Sequence, residues 1–221
     1  MDISKIINKI INIDILDLVT KLDDESIDLI FADFPFKFTK FEEISREFWR
    51  ILKSDGNLII INNPFNMFKL IPHLQNFHLR NEITLIRTRA FFPAWHYGFQ
   101  HNTALLLSKN KDMKLKWNGN KINHNRNAKP DFKVYSNGVR FSKYFHPEAI
   151  PLSIAIEFVN YMSNEGDLVL DAFTGSGTVL EACKILDRNY IGVDISEKYI
   201  EMAKFRIRND DKKLDEYINN E

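Results

Sequence analysis

The chain has 221 residues, sets 30 Lys and Arg against 30 Asp and Glu, and is 44% apolar. That length builds one domain, or one domain with an insert, around a substantial core; zero net charge does not describe a whole-molecule polyanion binder, so any nucleic-acid contact must rest on local charge. A lone cysteine (Cys183) excludes an intramolecular disulfide, no apolar run reaches the roughly 20 residues of a membrane span, and Met1-Asp2-Ile3-Ser4-Lys5 lacks a signal-peptide pattern, which together predict a soluble cytoplasmic protein.

Strand-like and helix-like segments alternate, which predicts an α/β fold with a mostly parallel sheet. Residues 10–14 read as a short strand ending in an acid, followed by a helix to about Leu22. Residues 27–33 are a second strand, apolar except for Asp28 and its terminal Asp33. In residues 39–53, Phe41, Ile44, Phe48, Ile51 and Leu52 recur at spacings of three and four, the period of a helix, and Thr39 with Glu42 resembles a capping box. Ser54-Asp55-Gly56 is the expected stop, 57–61 a strand, 67–74 a short helix, and 83–88 and 103–108 two further strands.

The composition then changes. Residues 109–144 carry eight Lys and two Arg against Asp112 and Asp131, a net +8, interleaved with Trp117, Phe132, Tyr135, Phe141 and Tyr144. The core pattern resumes with a helix over 151–163, a strand over 168–171, a helix over 178–186 and a strand over 190–194. A last helix starts at Ser196, with Tyr199, Met202, Ala203 and Ile207 on its expected buried face, before a polar tail over 209–221. No internal repeat is visible.

Two segments carry chemistry. The later is Asp171-Ala172-Phe173-Thr174-Gly175-Ser176-Gly177-Thr178, between a strand and a helix. Glycines there permit a sharp turn and close approach of a ligand, and the open N–H groups of a helix start favour an anionic group. A dinucleotide site would want glycine at position 180, which is Leu180. Asp194, at the end of the next strand, suits two ribose hydroxyls. A nucleoside with a small carboxylate end, such as S-adenosylmethionine, fits this pattern; a bare turn, with Asp194 capping the last helix, is the plain alternative.

The earlier segment is Ala32-Asp33-Phe34-Pro35-Phe36. Pro35 fixes its own φ and keeps Phe34 extended, so the Phe34 carbonyl is held near the Asp33 carboxylate. Two adjacent acceptors suit an exocyclic NH2 group, and Phe36 can stack on a planar base. The alternative is a strand ending in a proline turn whose phenylalanines fill the core.

Together these segments resemble the amino-group DNA methyltransferases, which act on adenine N6 or cytosine N4. Asp33-Phe34-Pro35-Phe36 is similar to their Asp/Asn/Ser-Pro-Pro-Tyr/Phe catalytic motif, and Asp171 to Thr178 to their cofactor motif, with Ala172 in place of proline. The catalytic motif comes first, as in the permuted beta class. His146-Pro147-Glu148-Ala149-Ile150-Pro151, Asn12-Ile13-Asp14 and Ile191-Gly192-Val193-Asp194 resemble further motifs in the expected order. The resemblance implies a Rossmann-like S-adenosylmethionine-dependent fold with a catalytic half over 1–108, a basic target-recognition insert over 109–144 and a cofactor half over 145–221. It implies Asp33, Phe34, Pro35 and Phe36 as catalytic residues. For the cofactor it implies Asp14, His146, Asp171, Phe173, Thr174, Gly175, Ser176, Gly177, Thr178 and Asp194.

The implied reaction is methylation of adenine N6 in duplex or single-stranded DNA, in a restriction-modification setting, by a chain that is often a homodimer among relatives. Cytosine-N4 or RNA methylation, and a binding subunit without turnover, are the alternatives; a nicotinamide oxidoreductase is disfavoured by Leu180. Three departures bear on the substrate: Phe34 replaces the first proline, Ile150 replaces a lysine, and very little chain separates Phe36 from the next helix. Residues 109–144 suit phosphate contacts and base stacking. His96 and His101 lack the cysteine or acidic company of a metal site, and Cys183 belongs to a core face.

Overall fold

The apolar runs of the sequence become the strands of a single sheet. In the computed structural model, which describes residues 2–91, 99–111, 131–135 and 150–209, these are β1 (Lys9–Asn12), β2 (Ile27–Asp33), β3 (Leu52–Asn62), β4 (His78–Phe91), β5 (Phe99–Ser108), β6 (Phe132–Tyr135), β7 (Leu168–Asp171) and β8 (Asn189–Asp194). The helices are α1 (Ile15–Val19), α2 (Phe41–Ile51), α3 (Pro64–Leu70), α4 (Leu152–Met162), α5 (Thr178–Ile185) and α6 (Glu197–Asn209).

The strand order is β1-β8-β7-β2-β3-β5-β4-β6. From β1 to β3 all neighbours are parallel; β5 runs antiparallel to β3 and β4, and β6 is parallel to β4. From β7 the chain winds outward through α5 to β8. From β2 it winds the other way through α2 to β3. The direction of winding therefore reverses between β7 and β2, the place where open α/β sheets form a crevice beyond the carboxyl ends of their strands.

Strand β2 explains why its sequence lacks polar alternation. Ile30 and Ala32 join the core beneath α1 and α2, while Leu29 and Phe31 join the core beneath α4 and α5. A parallel strand covered on both faces is apolar on both. Its one internal acid, Asp28, is buried but satisfied: Lys53 Nζ donates to both carboxylate oxygens at 3.0 and 2.9 Å, and Leu168 N donates to Oδ2 at 3.0 Å. One side chain thus ties β2 to β3 and to β7.

Several boundaries differ from the sequence expectation. Helix α2 begins only after Lys40, and no side chain caps it, so the Thr39 capping box does not form. The chain passes from Ile51 straight into β3, and residues 54–56 are extended rather than a turn. The excess is absorbed by a register shift, in which Ile27 pairs with Leu52 but Leu29 with Asn57. Gly56 fits there because a Cβ would lie 2.8 Å from Leu52 Cγ and 3.0 Å from the Asp28 carbonyl. Strands β4 and β5 run beyond their apolar cores because they pair with each other over most of their length. Residues 132–135 of the basic segment add an unforeseen edge strand.

On α6 the most buried residues are Ile200 and Ala203, so the inner face is rotated from the expected one and Tyr199 turns towards a cleft. Cys183 is fully buried, and burial pushes its thiol far up, as a core residue requires. His101 lies in β5, and the described residues hold no metal-ligating cluster. No described helix is long and apolar enough to cross a membrane.

Candidate active site

A cleft of about 420 Å³ opens at the carboxyl ends of β7 and β2. Both chemistry-bearing segments line it. Asp33, Phe34, Pro35 and Phe36 contribute from β2; Asp171, Phe173, Thr174, Gly175, Ser176 and Thr178 contribute from β7 and the turn beyond it. Asp194 and Tyr199 close the side formed by β8 and α6, and Ile150 lines the rim.

The turn after β7 is held at several points along its backbone. Ala172 N donates to the Phe31 carbonyl at 2.9 Å, which fastens the start of the turn to β2. A proline at this position would lack that donor. Thr174 N donates to the Val193 carbonyl at 2.9 Å and Gly177 N to the Thr174 carbonyl at 2.8 Å. Gly175 and Gly177 sit at φ 49° and 83°, a left-handed backbone that costs other residues strain. Gly177 has a second reason: a Cβ there would lie 2.8 Å from Ala203 Cβ on α6. Gly177 does not itself line the cleft; it lets the turn pack down onto α6.

Leu180 is explained by its partner. A Cβ on Gly192 of β8 would lie 2.5 Å from Leu180 Cδ1. Close approach of helix and strand is achieved here by glycine on the strand and leucine on the helix.

The cleft's charge comes from three carboxylates. Asp194 accepts from Gly175 N at 2.9 Å through Oδ2 and from Ser196 N at 2.8 Å through Oδ1, so it secures both the glycine turn and the start of the last helix. Asp171 is buried, and its Oδ2 has no hydrogen-bond partner. Burial holds its carboxyl well above the usual range; a hydrogen bond from the Phe173 backbone opposes this, and the charges of Asp33 and Asp194 add to it. Asp33 itself is half-buried at the end of β2.

Within the early segment the two phenylalanines part company. Phe34 is 5% exposed, and its ring packs at 5.0 Å from both Phe38 and Phe173 and at 5.6 Å from Phe41. Its ring belongs to the core, which leaves its carbonyl as the group available to a ligand. Phe36 is 62% exposed. Phe38 N donates to the Pro35 carbonyl at 2.9 Å, closing a tight turn. Asn66 of α3 is buried, and its Nδ2 donates to the Phe36 carbonyl at 3.0 Å.

Asn66 is a residue that sequence reasoning missed. A signal was there: Asn62-Asn63-Pro64-Phe65 repeats the x-x-Pro-Phe form of Asp33-Phe34-Pro35-Phe36. Strands β2 and β3 are parallel with Asp33 opposite Ile61, so both proline turns rise from neighbouring strand ends. Asn63 caps α3 by accepting from Asn66 N at 3.0 Å, and Pro64 takes the first helical position.

Asp14 stands apart from the cleft lining. It caps α1, accepting from Leu16 N at 2.9 Å, at the end of β1 beyond Asp194. His146 lies outside the described residues, as does the basic segment apart from residues 109–111 and 131–135.

Residues 27–205 match the family model N6_N4_Mtase, described as DNA methylase. The chain is 29% identical to the type II methyltransferase M.HinfI of Haemophilus influenzae, across 94% of this chain and 70% of that protein. It is 30% identical to the type II methyltransferase M.HpaI of Haemophilus parainfluenzae, across 84% and 69% respectively. Among solved structures, the cytosine-N4-specific PvuII DNA methyltransferase superposes with a TM-score of 0.78 at 18% identity, over 96% of this chain and 90% of that one. The complex of M1.HpyAVI with S-adenosylmethionine (SAM) gives 0.70 at 23% identity, over 89% and 98%. At these identities the two structures speak for the fold.

Proposed function

The chain belongs to the N6/N4 DNA methylase family, and we propose that it methylates an exocyclic amino group of DNA, adenine N6, from S-adenosylmethionine. The observation that carries this is the meeting of two distant segments in one cleft: the acid-proline turn after β2 and the glycine turn after β7. The acid at Asp33 favours adenine, in line with the family pattern.

The residues present fit the cofactor. An unpaired, buried Asp171 Oδ2 is an unmet acceptor at the cleft, and three carboxylates together favour a ligand with positive charge. S-adenosylmethionine carries an ammonium and a sulfonium. Asp171 would hold the ammonium, Asp194 the ribose hydroxyls, and the turn over Phe173 to Thr178 the remainder. When bound, the cofactor supplies an electrophilic methyl group.

The chain's own part is positioning and electrostatics. The base leaves the duplex stack to reach the cleft. Asp33 and the Phe34 carbonyl accept the two amino hydrogens, which draws the nitrogen out of conjugation and directs its lone pair towards the cofactor side. Phe36 covers the base face. The nitrogen gives up one proton as the new N–C bond forms, and the half-buried Asp33 carboxylate can pass it to water.

The test is incubation with methyl-labelled S-adenosylmethionine and duplex DNA, single-stranded DNA or RNA, followed by digestion to nucleosides. Label in N6-methyladenine from DNA, absent for Asp33→Ala, is the expected result. Label in N4-methylcytosine or in RNA overturns the assignment of the base or the polymer. Cofactor binding with no transfer to any polymer overturns the enzymatic reading.

A further inference from the structure

We infer that α3 is a nucleic-acid platform on which Phe65 and Phe68 stack against bases next to the target, beside the turn that holds the target itself. The inference rests on the reading of the cleft as an amino-methyltransferase site.

Helix α3 exposes what a short helix normally hides. Met67 and Leu70 are buried, but Phe65 is 56% exposed and Phe68 is 83% exposed. Spaced three apart, they share one face of the helix. Phe36 is 62% exposed on the turn fastened to α3, and Ile71, which follows α3 in the chain, is 52% exposed, so further apolar side chains are open at both of these neighbours. Surfaces of this kind mark contact sites.

Its location points to the substrate. The Asn66 Nδ2 bond to the Phe36 carbonyl fastens α3 to the acid-proline turn. The parallel register of β2 and β3 sets the two turns side by side. Only Lys37 to Lys40 separate Phe36 from α2, so that turn is too short to reach along a bound strand. The adjacent helix supplies the reach.

Charge selects the partner. No acid occurs between Asp55 and Glu82, Lys69 stands on α3 itself, and Lys37 and Lys40 stand on the neighbouring turn. Lys69 Nζ lies 4.6 Å from the Phe65 ring centroid. Exposed rings with Lys69 beside them, on a helix that itself carries no acid, match the stacking-plus-phosphate pattern of single-strand recognition; Glu42 and Glu43 lie beyond Lys40 on α2. The occupant is therefore a DNA strand with bases unstacked around the target.

The experiment compares the full chain with Phe65→Ala/Phe68→Ala. Both side chains are exposed, so the melting temperature and S-adenosylmethionine affinity stay unchanged. The readouts are KM and kcat for methyl transfer, and anisotropy of a labelled single-stranded oligonucleotide. The expected result is a rise of about tenfold in oligonucleotide Kd and in KM, with kcat at saturating DNA within about twofold. Equal oligonucleotide Kd for the two proteins overturns the inference. So does a change in sedimentation behaviour without a change in DNA affinity, which would make this face a contact between copies of the chain. If the wild-type chain transfers no methyl group, the functional reading fails, and the oligonucleotide Kd alone still decides the platform.

Discussion

The two turns that face each other across the cleft are built on opposite plans. The turn after β7 is fixed through its backbone: its N–H groups donate to the carbonyls of Phe31, Val193 and Thr174 and to the Asp194 carboxylate, and Gly177 rests on α6. The turn after β2 is fixed largely through side chains, by the Phe34 ring among other rings and by Asn66 on the Phe36 carbonyl. The first is a rigid cradle. The second presents an acid, a carbonyl and an exposed ring, and depends on its neighbours for position. A cofactor of fixed shape suits the former, and a substrate base arriving from a polymer suits the latter.

Five substitutions would break or sharpen this contrast. Asp33→Ala has the largest expected effect, a loss of about 10²–10³-fold in the rate of methyl transfer, with the fold intact, measured by label transfer at saturating cofactor. Phe34→Ala removes the ring that anchors the substrate turn. It should cost about 3–5 kcal/mol by denaturant unfolding, whereas Phe36→Ala, two residues on, should leave stability unchanged and weaken DNA binding.

Gly177→Ala attacks the cradle. Positive φ and overlap with Ala203 together should cost about 1–3 kcal/mol and weaken cofactor binding, read by unfolding and by isothermal titration. Asp171→Asn has opposite signs for its two readouts. Folded Asp171 keeps its proton above the ordinary value of 3.8, where the unfolded chain has lost it. Stability therefore falls as pH rises through and beyond 3.8, until Asp171 ionises. Below that window the variant and the wild type should melt alike. Above it the variant should melt higher, by about 2–4 °C for each kcal/mol relieved, while its cofactor affinity drops.

Much of this was legible in the sequence because it obeys local rules. Strands buried on both faces read as near-continuous apolar runs, as in β2 and β7. The glycine turn was legible because left-handed backbone selects glycine, and Asp194 because it closes the next strand. What escaped depends on contacts between distant segments. The end of α2 at Ile51 and the run of chain through Ser54-Asp55-Gly56 follow from pairing of β2 with β3, which resumes at Asn57 after a register shift. Strand β6 forms because β4 offers it an edge, not because residues 132–135 are apolar. Phe34 could not be assigned to core or ligand until Phe38, Phe41 and Phe173 surrounded it. The repeated Pro-Phe turn marks the neighbourhood of Asn66, but its role depends on a carbonyl 30 positions earlier.

The parallel pairing of β2 with β7 joins residues about 140 positions apart, as in Leu29 opposite Val169. Strand β8 is made after β7 yet slots between β7 and β1. During synthesis, β1 and β2 must therefore wait with unpaired edges until the last two strands leave the ribosome. No N-terminal fragment ending before Asp194 can assemble both sides of the cleft. A prematurely terminated chain, although it holds the whole acid-proline turn, would leave DNA unmodified. The ordering of the strands thus makes assembly of the cleft depend on the last strand of the sheet.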